Sequence, residues 1–427
     1  EDRRPGGRAP PRGRAAARLL AESFKDPIPP RLDLAEWFRE KIEGAQRAAR
    51  EAALGRGGRL PLPSEVLLRT CGLLPERRAA AAARTVCLVT QCSVDRLPRL
   101  QAQLESWDGE VSVAVFVDAP RASLEASEAR SQILLACSRA AAARAEALPD
   151  APPPLWTVTA VYQIGEEDVR CPAYDRLYPV NALRNVALAQ AEADLTFLLD
   201  VDFVPSRGLH GRLCAGPGAG PLREALRAGG AGGAPVALVV PAFEVKSQRS
   251  SLPRDQASLR EACGRSDAEA FHAHHFPKGH RATDFARWFA GPSGAAPGGL
   301  TRATHGVDTY PVEYEEQFEP YVVVAREATP AYDERFRGYG LNKISHLYSL
   351  AAAGFAFHVL DDNEAFVVAG HHPRSKSWLE MYGPDADMEQ RARLATHWAE
   401  FKREHGAPAA GRRAVPAAAA PRLEAPA

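Results

Sequence analysis

Apolar residues fall into short runs separated by helix-spaced stripes. Val86-Cys-Leu-Val-Thr90 is a compact apolar run, and Leu97, Leu100 and Leu104 then recur at the spacing of one helix face. Val111–Val117 is β-branched strand, an Ala-rich stretch over about 121–147 predicts a long helix, and Pro152–Pro154 breaks the chain before strand Leu155–Tyr162. Pro179 takes the first-turn position of a helix whose Val180, Leu183, Ala187 and Ala191 share a face. The most apolar strand, Leu195-Thr-Phe-Leu-Leu199, runs directly into Asp200. Ala237–Phe243, Val322–Val324 and Phe355–Leu360 read as further strands, while the Gly-rich residues 208–234 read as a mobile surface loop. Ile344, Leu347, Leu350 and Ala351 line a helix stopped by Gly354, and Leu394, Trp398 and Phe401 mark a last helix ending before Gly406. Strand–helix alternation of this kind predicts an α/β fold, a Rossmann-like, mostly parallel sheet flanked by helices. In such sheets ligands gather beyond the carboxyl ends of the strands.

The flanks read differently. Residues 1–30 are rich in Arg, Pro and Gly and are expected to form a disordered basic stem. Asp33 and Glu36 form a capping box opening a helix with Leu34, Trp37, Phe38, Ile42 and Ala45 on one stripe. With the connector Gly55–Pro63 and the Ala/Arg run Arg77–Arg84, this makes 31–84 a helical N-terminal extension. Residues 85–405 form the main domain, and 406–427 are an Ala/Pro tail expected to be disordered.

Composition narrows the function classes. Among 427 residues, 53 Lys+Arg balance 53 Asp+Glu, so no basic excess supports a nucleic-acid partner. No apolar run approaches the roughly 20 residues that span a bilayer. Seven cysteines without a Cys-x-x-Cys pair make neither a disulfide scaffold nor an evident zinc site. The chain opens on Glu1 rather than Met, so a removed leader or anchor is the expectation.

Two segments could carry chemistry. Asp200-Val-Asp202 puts two carboxylates at the tip of an apolar strand, with Phe203-Val204-Pro205 following. Unpaired acids in an apolar frame are costly, and a hard divalent cation such as Mg²⁺ or Mn²⁺ would resolve the conflict. Such an ion could bridge a nucleotide diphosphate and stabilise its charge as it leaves. Upstream, Asn181, Arg184 and Asn185 gather near a helix N-terminus, where free N–H groups and partial positive charge favour anions. His272, His274 and His275 have the composition of a zinc site, but no Cys or acid lies close enough in sequence to complete a tetrahedral set with them, so they read as a plain loop.

The ordered string Val-Thr-Gln with Asp95-Arg-Leu, Tyr178-Pro-Val-Asn-Ala-Leu-Arg-Asn, Phe-Leu-Leu-Asp200-Val-Asp-Phe-Val-Pro, Val-Pro-Ala-Phe-Glu244, Lys278-Gly-His280, Phe318-Glu-Pro-Tyr321 and Tyr332-Asp-Glu-Arg-Phe-Arg-Gly-Tyr-Gly-Leu-Asn-Lys343 resembles glycosyltransferase family 49, the family of LARGE-type xylosyl- and glucuronyltransferases. The similarity spans about residues 85–378. It implies a GT-A fold, a UDP-sugar donor (usually UDP-glucuronate), a divalent cation (usually Mn²⁺) and inverting transfer to a hydroxyl of a glycan or glycoprotein acceptor. It also implies residence in the Golgi lumen as a type II membrane protein, with the anchor outside this chain. By the same resemblance Asp200 and Asp202 are metal ligands, Thr90 and Gln91 lie beside the nucleoside, Asn181 and Arg184 meet the diphosphate or donor carboxylate, and Lys278 and His280 face the sugar.

Two departures stand out. The family histidine that completes the metal set aligns with Ala369, leaving His371 or, preferably, His372 as the third ligand. Where many GT-A enzymes carry Glu-Asp, this chain has Asn342-Lys343, and neither an amide nor an ammonium accepts a proton at neutral pH. Glu319 is then the expected base, with Asp333 next and Glu334 a further candidate; the alternative for Asp333 and Glu334 is a structural pair with Arg335 or Arg337. The same departures keep open a catalytically impaired protein that binds a glycan or UDP-sugar. A nucleotidyltransferase, which would use a similar acid pair and release pyrophosphate, is the third reading.

Overall fold

The computed structural model describes residues 62–70, 86–147, 154–169, 171–214, 219–228, 233–247, 250–291, 296–371, 376–383 and 388–408. The expected basic stem, the capping-box helix, the Ala/Arg run and all but the first residues of the tail lie outside them.

The strands are β1 Ser64–Arg69, β2 Val86–Ser93, β3 Val111–Val117, β4 Trp156–Tyr162, β5 Leu195–Leu198, β6 Phe203–Pro205, β7 Val236–Val240, β8 Ala242–Val245, β9 Ala268–Ala270, β10 Thr309–Val312, β11 Tyr321–Ala325, β12 Ala356–Leu360 and β13 Val367–Ala369. Nine of them form one sheet in the order β1-β4-β3-β2-β5-β11-β7-β12-β10, and β6-β13-β8-β9 form a second. In the large sheet β4, β3, β2, β5, β7 and β12 run one way, against β1, β11 and β10. The expected α/β, mostly parallel arrangement is therefore observed.

Its strands read as continuous apolar runs because both faces are covered. Val111, Val113, Val115 and Val117 enter one core with Leu100, Leu104, Ile133 and Trp107. Ala114 and Phe116 point the other way, into a core with Leu183, Ala187, Leu347 and Leu350. The last helix, Met388–His405, adds Phe401 to a small cluster with Phe336 and Tyr348.

Three expectations are corrected. Residues 208–234 contain two helices, Leu209–Cys214 and Ala219–Ala228, whose Leu209, Leu213, Leu222 and Leu226 are buried. Leu209 with Leu213 and Leu222 with Leu226 are each one helical turn apart, but the glycines around the two short pairs outweigh that spacing in the sequence. Ala237–Phe243 is not one strand: Pro241 lacks an N–H and interrupts the ladder, so β7 stays in the large sheet while β8 enters the small one. Within 31–84, taken as a helical extension, residues 64–69 form β1, an edge strand paired antiparallel with β4.

Candidate functional site

The site follows from strand direction. Thr90 and Gln91 lie in the carboxyl half of β2 and Asp200 just beyond β5. β11 runs antiparallel to β5, with Val322 opposite Leu198, so its beginning reaches the same sheet edge. Glu319, Pro320 and Tyr321 thereby arrive beside Asp200. Together with the helices Val180–Gln190 and Asn342–Ala352, these strand ends enclose a narrow cleft lined by Thr90, Gln91, Arg184, Asp200, Tyr321 and Lys343, among others.

Asp200 is the centre of its polar network. Arg184 Nη2 donates to its Oδ1 at 2.7 Å and the Tyr321 hydroxyl to its Oδ2 at 2.9 Å, with Lys343 Nζ 3.8 Å from Oδ2. Burial opposes ionisation of this carboxyl, but Arg184, Lys343 and Tyr321 outweigh it and hold the pKa at about 2. Arg184 is itself set by neighbours: its Nη1 donates to Asn181 Oδ1 and Asn342 Oδ1, each at 3.0 Å, and its guanidinium lies 5.2 Å from the Tyr332 ring centroid.

The asparagines expected to serve an anion instead hold a loop. Asn181 Nδ2 donates to the carbonyls of Asp333 (2.8 Å) and Asn342 (3.2 Å). Asn185, one helical turn on, accepts from Tyr332 N at 2.8 Å and donates to Tyr332 O and Glu334 Oε1 at 2.9 Å. Asn181 is fully buried and reaches donor groups only through Arg184.

Asp202 leaves the strand in another direction. Its Oδ1 takes Arg96 Nη1 at 3.0 Å and Arg99 Nε at 3.2 Å. The two acids are thus compensated by Arg184, Lys343, Arg96 and Arg99, and an ion is not required to explain their apolar setting. Sequence reasoning missed this because all four cations are brought in by other elements. Both residues offer the carboxylate oxygens that a hard divalent ion takes, and each carboxylate has about four lone-pair sites, of which Arg184 and Tyr321 take two on Asp200. His372 lies outside the described residues. Ala369, at the family histidine's position, is buried in β13 opposite Phe203, and Gly370 N donates to Asp202 O at 3.3 Å. Arg99 Nη2 also reaches the carbonyl of His371 at 3.3 Å, so the chain after β13 passes beside Asp202.

Thr90 Oγ1 is buried with no hydrogen-bond partner, whereas Gln91 Oε1 accepts from the Tyr178 hydroxyl. Glu319 lies at the cleft's rim with Oε2 4.0 Å from Lys343 Nζ and Oε1 3.6 Å from His272 Nδ1. His280 is 3% exposed, and burial, reinforced by Lys343 and His272, pushes its pKa well below the ordinary histidine range, so the ring is neutral. Lys278 is exposed on the single turn Pro277–Gly279 and is not among the cleft-lining residues. That turn packs closely: a Cβ on Gly279 would meet the Phe276 ring at 2.8 Å and Glu319 Cγ at 3.1 Å. Asp333 is likewise not brought to the cleft. Arg335 holds its carboxylate through Nη2 at 2.6 Å and Nε at 3.0 Å and links it to Glu404. Of the two expectations for Asp333, base or partner of Arg335, the observed arrangement is the pair. Tyr321, Lys343 and Arg96 were legible only as members of the resembling motifs, with no role attached, and Arg99 lies outside those motifs.

The fold is thus a mostly parallel mixed sheet with an acid pair just beyond its central strand β5. The chain belongs to the family described as "Glycosyl-transferase for dystroglycan", whose model matches residues 85–393. The xylosyl- and glucuronyltransferase LARGE1 of Danio rerio is 33% identical over 318 residues, which are 74% of this chain and 35% of the relative. LARGE2 of Homo sapiens is 34% identical over 310 residues, 71% of this chain and 35% of the relative. The chain thus spans about a third of the length of these relatives. Among solved structures, S. aureus TarS in complex with UDP-GlcNAc is 12% identical at a TM-score of 0.32, covering 75% of this chain and 72% of the other. GalNAc-T7 with UDP, GalNAc and Mn²⁺ is 9% identical at 0.34, covering 76% and 55%.

Proposed function

We propose that this protein transfers a sugar, most favourably glucuronate, from a UDP-sugar to a hydroxyl of a glycan or glycoprotein acceptor with inversion. One observation carries the reading: a carboxylate fixed by Arg184 stands at the floor of the cleft, and the orphan hydroxyl of Thr90 lines the same cleft. A bound nucleoside would give Thr90 Oγ1 its missing partner, with Gln91 beside it. Asp200 and Asp202 would hold Mn²⁺ or Mg²⁺, with His372 as the proposed third ligand. The ion would supply charge neutralisation on the diphosphate. Arg184 and Lys343 would bind the diphosphate or a donor carboxylate from the opposite side. His280, neutral and buried, would face the sugar as a hydrogen-bonding group, and Glu319 is the proposed acceptor of the attacking hydroxyl's proton.

The test is UDP release by purified protein with Mn²⁺ across a panel of UDP-sugars, with chelator controls. Release with one donor, abolished by chelation, is expected. No release from any donor and no binding of UDP would overturn the reading. The second reading, a binding protein without turnover, is favoured by Ala369 and by the existing cationic partners of both acids. Thermal stabilisation by UDP that ignores Mn²⁺, without turnover, would select it. Among the described residues no helix is long and apolar enough to cross a membrane. Placement in the Golgi lumen behind a separate anchor is part of the proposal, and imaging of the full-length precursor elsewhere would remove it.

A further inference from the structure

Beside the cleft, two histidines of one connecting segment meet a glutamate distant in sequence: one ligand atom each of His272, His280 and Glu319 lies within 4.8 Å of the others. The path of the chain explains the meeting. β8 and β9 pair antiparallel, and the turn after β9 places His272 in the left-handed region at φ 58°, with its backbone N–H anchored to Glu244 Oε1 at 2.8 Å. The following single turn ends at His280, and Glu319 N donates to Gly279 O at 2.9 Å, which fixes the carboxylate against both rings.

We propose that His272, His280 and Glu319 form a second divalent-cation site, of the kind zinc occupies, separate from the Asp200–Asp202 pair. His280 Nε2 and His272 Nδ1 are both buried without a hydrogen-bond partner, although buried imidazole nitrogens normally have one. His272 Nδ1 is 3.6 Å from Glu319 Oε1, too long for a hydrogen bond. Ligands about 2.0–2.1 Å from a tetrahedral ion stand about 3.4 Å apart, so this separation matches two bonds to one ion. Two imidazoles and one carboxylate are a donor set zinc takes, with a fourth position left for water. The second oxygen of Glu319 faces Lys343 Nζ at 4.0 Å, which would orient the carboxylate to offer Oε1 alone. Lys343 also stands between the two sites, 3.8 Å from Asp200 Oδ2. Phe271, stacked on His272 with centroids 3.8 Å apart, limits that ring's rotation. With Oε1 on a cation, only Oε2, which faces Lys343, would be left to take a proton from an acceptor, so a loaded site would limit the proposed base role of Glu319. The inference itself does not depend on the transfer reading, because it is tested by metal binding alone.

The full chain, stripped of metal, is titrated with Co²⁺. One equivalent is expected to develop the intense visible absorption of a low-coordinate, nitrogen-ligated ion, which one equivalent of Zn²⁺ then displaces. His272→Ala and His280→Ala should each weaken binding at least tenfold, with folding checked by melting temperature. His274→Ala, which removes an exposed ring paired with Glu269, is expected to leave binding unchanged. Asp202→Asn should leave the absorption intact, because it disturbs only the carboxylate pair. Absence of the band would overturn the proposal. So would a band that survives His272→Ala or one that disappears with Asp202→Asn.

Discussion

At the residue scale, Arg184 illustrates how a role depends on partners. Its place near a helix start suggested an anion ligand, yet in the fold it already has one, the Asp200 carboxylate. Removing one member of such a pair leaves the other's charge uncompensated, which costs more than the pair contributes. Arg184→Met should therefore lower stability by about 2 kcal/mol, the remaining Lys343 and Tyr321 contacts softening the loss. Asp200→Asn in the same chain should recover at least half, since the stranded charge is gone. Urea unfolding of the single and double variants measures this coupling, and additive losses would show that the two residues do not act as a pair. Asp333 shows the converse. It was legible both as a candidate base and as a partner of Arg335 or Arg337, and the structure shows the Arg335 pair.

At the element scale, the strands of the parallel core were legible because burial on both faces makes their residues apolar without a break. β2, β3, β4 and β5 were expected within a few residues of where they stand. β1 was not, because an edge strand is half wetted and its Ser64-Glu-Val-Leu-Leu-Arg69 alternates too weakly to separate from the connector around it. The helix Ala219–Ala228 was missed for a different reason: the surrounding glycines outweighed two buried leucines. If that helix packs as described, Leu226→Ala should cost about 2–4 kcal/mol in urea unfolding. A surface loop would give a change within about 0.5 kcal/mol. The asparagine clamp makes a second prediction at this scale. Asn185→Ala removes the partners of two Tyr332 backbone groups, so amides 332–342 should exchange at least tenfold faster while β2 and β3 keep their protection.

At the scale of the whole molecule, the core encloses histidines that stay neutral. Burial pushes His346 down to about 3, helped by Arg184. Burial alone takes His358 to about 4, and His397 falls to about 4 through burial chiefly, with Arg335 adding to it. A histidine depressed in the fold binds its proton more readily when unfolded, so its contribution is retained above pH 6.5 and lost as pH falls towards the folded value. At pH 5 each such ring should have withdrawn about 2 kcal/mol. Melting curves should therefore drop steeply between pH 7 and 5, and His346→Phe, keeping the ring stacked on Tyr332, should flatten part of that slope. An unchanged slope would show that His346 protonates freely in the folded state.

Local pattern was enough to determine the alternation of strand and helix, the apolar strand that ends in Asp200, and the motif string that identifies the family. These depend on residue type and spacing along the chain, which the chain carries with it. Only the tertiary structure decided which charges face which acid, because Arg96, Arg99, Arg184 and Lys343 reach Asp200 and Asp202 from separate elements. It also decided that His272, read as a loop residue for want of a complete ligand set close in sequence, meets Glu319 just before the start of β11. Contacts between positions so distant along the chain leave no periodic trace in it; they exist only once strand order and direction are set.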